Sequence, residues 1–284
     1  MERRMLGSTG EALSVVGFGG ILVMDETPEQ AARLVAAAIE RGINYFDVAP
    51  SYGNAEERLG PALEPYRDQV FLACKTLKRT REEAAAELRA SLRRLRTDHV
   101  DLYQHHAVTT REDVERILGP GGAMEAFLEA RARGLVRFIG FSAHSEPAAL
   151  ALVDRFDFDS VLFPLNWVSW HHGRFGPRVV ERARARGAGI LGLKALGRRR
   201  LAEGEARVRP KCWYAPVESY KEAALALRFV LSLPVTAALS PGYPDLLWWM
   251  CDAADRFAPL SAEEAVDLAA RSQSLEPIFR SDAA

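Results

Sequence analysis

Apolar residues recur along this chain at two spacings. Short runs are almost continuously apolar, and between them lie stretches that return to an apolar residue every three or four positions. The opening, "RMLGSTGEALSVVGFGG", sets a Gly-containing turn between two short extended pieces and predicts a hairpin, with a strand over residues 14–18. From Pro28, the positions Ala31, Leu34, Val35, Ala38 and Ile39 mark one helix face. Pro28 suits the first turn, where its missing N–H would have no helical partner anyway. The stretch "GINYFDVAPSYGNAEERLG" (residues 42–60) reads as a second strand ending at Asp47, a loop broken by Pro50 and Gly53, and a helix from the N-cap Asn54 to about Leu63.

The alternation continues. Residues 69–76 form a third strand, and Thr80 followed by Glu83 signals a capping box. The helix behind it carries Ala84, Leu88, Leu92 and Leu95 on one face. Residues 98–106 are a fourth strand, followed by a helix rich in Ala, Glu and Arg that runs to about Gly134. Residues 136–144 are a fifth strand, and Pro147 opens the next helix. Residues 160–167, 187–197 and 234–242 complete eight strands. Nearly continuous apolar strands suit a parallel sheet buried on both faces. Eight strand–helix units predict an α/β fold, a closed (β/α)8 TIM barrel in a single domain over residues 1–284, with an N-terminal hairpin and a C-terminal helix. The length of 284 residues agrees, since one such barrel needs about 250.

Composition narrows the partners. A net charge of −1 gives no basic field for nucleic acid or an anionic membrane surface. Cys74, Cys212 and Cys251 are widely spaced, without a CxxC pair or zinc pattern, which points to a reducing, cytoplasmic setting. No apolar run matches a signal peptide or a membrane span.

Barrel sites lie at the carboxyl ends of the strands. That rule gathers Asp47 and Tyr52 after strand two, Lys75 in strand three, and His105 and His106 in strand four. Ser142 and His144 follow strand five, Asn166 strand six and Lys194 strand seven. An ammonium or imidazolium beside a phenol lowers its pKa from about 10, and a carboxylate beside the lysine keeps that lysine charged. Asp47, Tyr52, Lys75 and His106 therefore make a candidate proton donor for an oxygen on which charge develops. With no metal-ligand spacing, reactive thiol or activated serine in the sequence, this chemistry suits carbonyl reduction with hydride from a bound cofactor.

The segments "INYFDVAPSYGNAEERLG", "FLACKT", "DLYQHH", "GFSAH" and "LNW" resemble the aldo-keto reductases in order and spacing over essentially the whole chain. The resemblance implies a barrel that binds a nicotinamide extended across the strand ends, NADP(H) rather than NAD(H), and a small carbonyl or alcohol substrate. It implies Tyr52 as general acid, Lys75 as the group that tunes it, Asp47 as the anchor of Lys75, and His106 as the residue that orients substrate. Ser142 and Asn166 are candidate polar contacts to the cofactor, Lys194 could reach the cofactor's phosphates or the substrate, and Ser240 and the Gly242 backbone suit an anion of the cofactor. Three positions depart from the family pattern. Ala143 stands where an Asn often follows Ser142, Leu162 where a Gln helps to bind the carboxamide, and Leu193 and Lys194 where a Tyr often stacks on the nicotinamide. Asp245 in the last loop would repel a 2′-phosphate, and the basic stretch "GRRRLAEGEARVRPK" offers a substitute positive charge.

Strand alternation sends one of the adjacent histidines away from the site, and His105 is expected to be structural. The same rule makes Cys74 a core thiol. His144 is open between a substrate contact and a helix approach, and Trp167 or Trp213 is expected to face substrate. Arg198, Arg199 and Arg200 are most simply a solvated loop. Alongside a reductase stands a second reading: a nicotinamide-binding sensor or regulatory subunit on the same barrel, with little turnover.

Overall fold

A computed structural model describes residues 1–281. Its centre is a closed parallel barrel of eight strands. These are β1 (Val16–Gly19), β2 (Tyr45–Asp47), β3 (Phe71–Thr76), β4 (Val100–Val108), β5 (Val136–Ala143), β6 (Ser160–Pro164), β7 (Gly189–Leu193) and β8 (Ala237–Leu239). Each is hydrogen-bonded to its neighbour in sequence, and β8 closes on β1. The predicted hairpin is present, Arg3–Met5 pairing antiparallel with Ala12–Ser14.

Side chains alternate across each strand. Tyr45, Phe71, Ala73, Leu102, Leu162, Leu191, Ala237 and Leu239 fill the barrel, and Leu6 and Leu13 of the hairpin join that cluster. Space for Tyr45 comes from Gly17, where a Cβ would stand 2.5 Å from the tyrosine ring. A larger apolar cluster lies between the sheet and the surrounding helices. Those helices include α1 (Pro28–Glu40), α2 (Ala55–Leu63), α3 (Arg81–Leu95), α4 (Arg111–Leu118), α5 (Ala123–Ala132) and α6 (Glu146–Arg155). After β6 come α7 (Trp167–His171) and α8 (Pro177–Ala185), then α9 (Tyr220–Ser232), α10 (Pro244–Ala254) and the C-terminal α11 (Ala262–Ser272). Among the described residues no helix is long and apolar enough to cross a membrane.

The structure corrects several expectations. The long helix predicted to end near Gly134 is two helices, α4 and α5, because "GPGG" (residues 119–122) intervenes and Gly121 takes a positive φ of 68°. Asn54 stands at the start of α2 but does not cap it; its Oδ1 accepts from the Asp25 N–H at 2.8 Å. Thr80 accepts from Glu83 N as a cap should, while the Glu83 carboxylate meets the Thr80 hydroxyl at 2.7 Å rather than its N–H. The sixth, seventh and eighth strands are shorter than the apolar runs that predict them, since those runs continue into buried turns.

Two segments reach over the carboxyl ends of the strands. Residues 197–217 after β7 begin and end in a small hairpin, Gly197–Arg199 against Ala215–Pro216. Beyond α11 the chain also returns to this end: Arg200 N donates to Glu276 O at 2.9 Å, and Phe279 N to Ser169 Oγ at 3.3 Å.

Candidate active site

Alternation aims Asp47 of β2, Lys75 of β3 and Gln104 and His106 of β4 into the top of the barrel, and Lys75 pairs in register with Gln104. Lys75 and Asp47 are 1% and 2% exposed and form a direct ion pair. Lys75 also donates to Val48 O at 3.3 Å. Asp47 accepts further from Gln104 Nε2 at 2.9 Å and from the Tyr45 hydroxyl at 3.3 Å. Burial works against the Lys75 charge, but the carboxylate of Asp47 and the Tyr52 oxygen outweigh it and raise the lysine pKa.

Tyr52 comes from the loop between β2 and α2. The Lys75 amine lies 5.1 Å from its ring centroid, and the His106 ring meets it edge-on at 5.7 Å and 85°. The expected lowering of the phenol pKa by Lys75 is present as an opposing pull, but burial is stronger and the net shift is upward. His106 is pushed well below its ordinary value by burial, reinforced by Lys75, His144, Arg79 and Lys194, so its ring is neutral at pH 7. Its Nδ1 lies 3.4 Å from Ser51 Oγ. The next residue, Ala107, has a φ of 52°, and its N–H donates to Ser142 Oγ at 2.8 Å. That turn coincides with a register shift between β4 and β5. His105 points outward instead. It is fully buried and stacks on Phe127 at 3.9 Å, and burial holds it down at about 3.

These groups line a cavity of about 260 Å³ at the strand ends. Of the expected cofactor contacts, Ser142, Lys194, Ser240 and Gly242 line it. Ser240 Oγ accepts from the Gly19 N–H at 3.0 Å and keeps its own hydrogen to donate. Asn166 is not in the wall. β6 ends at Pro164, so Asn166 falls beyond the strand and caps α7, its Oδ1 accepting from Ser169 N at 2.9 Å. Leu162, Leu193 and Leu239 give the cavity an apolar face. His144 also lines it, with Nε2 3.2 Å from Lys194 Nζ. Trp213 faces the cavity, whereas Trp167 is buried with the Arg271 guanidinium 5.8 Å from its ring.

Lys211, Cys212, Trp213 and Tyr214 bring the segment after β7 into the wall. Lys211 Nζ reaches Leu22 O and Glu26 Oε1, each at 3.2 Å, and its N–H donates to the Tyr243 hydroxyl at 2.8 Å. Arg209 grips Asp245 with two hydrogen bonds of 2.9 and 2.5 Å. The acidic charge expected to repel phosphate is therefore paired, and Arg209 stands beside α10. Arg199 likewise is bound to Glu205 by two bonds of 2.8 and 2.7 Å, and is not a simply solvated side chain. Gln104, Tyr45 and Lys211 belong to the site although no sequence motif marked them. Parity with His106 and Asp47 is the signal for the first two; for Lys211 it is the basic stretch "GRRRLAEGEARVRPK", which gives its charge but not its place in the wall.

The model of the Aldo/keto reductase family matches residues 15–270, and the chain belongs to that family. It is 32% identical over 157 residues to the uncharacterized oxidoreductase YqkF of Bacillus subtilis, a match covering 50% of this chain and 49% of that protein. It is 33% identical over 200 residues to the aldo-keto reductase YhdN of the same organism, covering 64% and 56%. The chain thus spans about half the length of the curated relatives it matches. The holo form of the aldo-keto reductase AKR11C1 from Bacillus halodurans shares the fold, with a TM-score of 0.75, 24% identity and 99% of each chain covered.

Proposed function

We propose that this chain reduces an aldehyde or ketone to an alcohol, with a nicotinamide cofactor as hydride source and Tyr52 as proton donor. One observation carries the reading: Tyr52, Lys75, Asp47 and His106 share one cavity, with the lysine locked on the aspartate. Bound there, the cofactor supplies the hydride. The residues present fit such a group. The leucine face suits a flat ring, Ser142 and Ser240 offer hydroxyls, and Gly242 lies just ahead of α10, whose first N–H groups suit an anion. Arg209, paired with Asp245, cancels the acidic charge that would repel a 2′-phosphate, which leaves NADP(H) favoured over NAD(H).

The protein's own groups divide the remaining work. Burial keeps Tyr52 protonated at neutral pH, so the donor is loaded before reaction. Lys75, held charged by Asp47, stabilises the phenolate left when the proton moves to the nascent alkoxide. With His106 Nδ1 toward Ser51, Nε2 is the nitrogen left to orient the substrate oxygen.

Tyr52→Phe tests this. Turnover, followed as loss of NADPH absorbance with a panel of aldehydes and ketones, is expected to fall about a hundredfold or more, the usual contribution of a general acid. Cofactor binding by fluorescence titration is expected to persist. Undiminished turnover removes Tyr52 from the role, and tighter NADH than NADPH binding overturns the cofactor preference. The apolar face at Leu162 and Leu193 favours one second reading, the nicotinamide-binding sensor. Cofactor binding without reduction of any panel member would support it.

A further inference from the structure

Three lysines line the cavity against a single carboxylate, Asp47. Two of them are already compensated: Lys75 by Asp47, and Lys211 by Glu26 and the Leu22 carbonyl. Lys194 is different. Among the described residues it has no ion-pair partner. Its amine sits 3.2 Å from His144 Nε2, 5.4 Å from the Trp213 ring centroid and 5.5 Å from that of Phe279. Its backbone holds a φ of 61°, uncommon for a residue with a Cβ, and the following turn is closed by Gly197 N donating to Lys194 O at 2.8 Å.

A part-buried ammonium without a counter-charge carries a desolvation cost, and an anion entering beside it offsets that cost. The aromatic faces of Trp213 and Phe279 form apolar walls next to the amine. Lys194 lines the same cavity as Tyr52, Lys75 and His106, and its amine meets His144 in that wall. Ser240, Gly242 and the first N–H groups of α10 offer a separate place for a cofactor's diphosphate. We propose that Lys194 anchors the substrate through an anionic group, so that the cavity selects aldehydes or ketones bearing a carboxylate over neutral ones of the same shape. This rests on the carbonyl-reduction reading. The direction of the Lys194 pKa agrees: burial, with Lys75 adding and Cys212 opposing, brings it down to about 7, where a bound anion restores the full charge.

The test uses isosteric pairs: 4-carboxybenzaldehyde with 4-carbamoylbenzaldehyde, and succinic semialdehyde with its amide. The carboxylates are expected to show at least tenfold higher kcat/KM in the native protein. That ratio is expected to collapse toward one in Lys194→Met and to survive in part in Lys194→Arg. A native ratio near one, or a ratio unchanged in Lys194→Met, overturns the inference. An unchanged ratio with a raised KM for NADPH gives the amine to the cofactor phosphates instead. A second measurement does not depend on turnover. In calorimetric titration of the NADP⁺-loaded protein, benzoate is expected to bind at least tenfold tighter than benzamide, with the difference lost in Lys194→Met. Equal binding of the two overturns the anchor even if no aldehyde is reduced. Turnover of neutral and anionic aldehydes alike leaves carbonyl reduction standing while the anchor falls.

Discussion

Asp47 is held from three sides, by Lys75, Gln104 and Tyr45, and each contact fixes where its charge lies. A hydrogen bond to a charged group is worth roughly 1.5–3 kcal/mol. Gln104→Leu removes one such bond without removing a group that touches substrate. The expected result is a fall in kcat of about tenfold or more, following from that energy, with little change in the KM for NADPH. It is also expected to move the alkaline limb of the pH–rate profile upward, because Asp47 then draws Lys75 closer and weakens its pull on the phenol. With Tyr52 as the proposed donor, the native limb is expected on the alkaline side of the ordinary phenol value of 10.0, because burial raises its pKa. A pH–rate profile identical to the native one would make Gln104 merely structural. Asp47, Lys75 and His106 were legible as inward positions because strand parity and apolar runs fix which face each occupies. Parity also turns Gln104 and Tyr45 inward. It says nothing of depth, so nothing in the sequence shows that both reach the same carboxylate.

The segment after β7 is where element-level reading fails. "GRRRLAEGEARVRPK" has no helical or strand period, and its partners Glu26 and Asp245 lie on another loop and in the first turn of α10. What is a charged run in sequence is, in space, a strap pinned at Lys211 and at Arg209. The cavity beneath it, about 260 Å³, is where the nicotinamide end of the proposed cofactor would enter, and it is too small for a whole dinucleotide. If the cofactor binds there as proposed, its exchange is expected to require the strap to lift. Lys211→Met removes one pin, a part-buried ion pair worth on the order of 1 kcal/mol. Stopped-flow fluorescence is expected to show NADPH leaving severalfold faster, and native dissociation is expected to quicken with added salt while the variant responds less. Dissociation that is the same in both proteins would mean that the strap does not gate the cofactor. Arg209→Met tests the other pin: it is expected to narrow the affinity difference between NADPH and NADH severalfold, as measured by titration. An unchanged difference would take Arg209 out of cofactor selection.

At the scale of the whole molecule, the barrel was legible because eight buried strands leave eight apolar runs, and the closed order follows once each pairs with the next. The split of the long helix into α4 and α5 was also written in the chain, as "GPGG", but periodicity on either side masks a break that short. The fold also imposes a pH dependence that no motif announces. His105 and His144 are both held near 3 by burial, below the ordinary 6.5. Above pH 6.5 both are neutral in the folded and unfolded chain, and neither affects stability. As pH falls from 6.5 toward 3, the unfolded chain binds protons that the folded one refuses, so stability is lost across that window. Each such histidine costs about 2 kcal/mol by pH 5, at about 1.4 kcal/mol per pH unit. His105 isolates the effect. It lies outside the cavity, stacked on Phe127, and neither ring nitrogen has a hydrogen-bond partner among the described residues. His105→Leu replaces it with an apolar side chain that cannot take up a proton. The variant is expected to match or exceed native stability at pH 7 and to show a visibly smaller drop in urea midpoint between pH 7 and pH 5. If both proteins lose the same amount, the acid sensitivity comes from other groups, and the buried imidazole on Phe127 is not one of its sources.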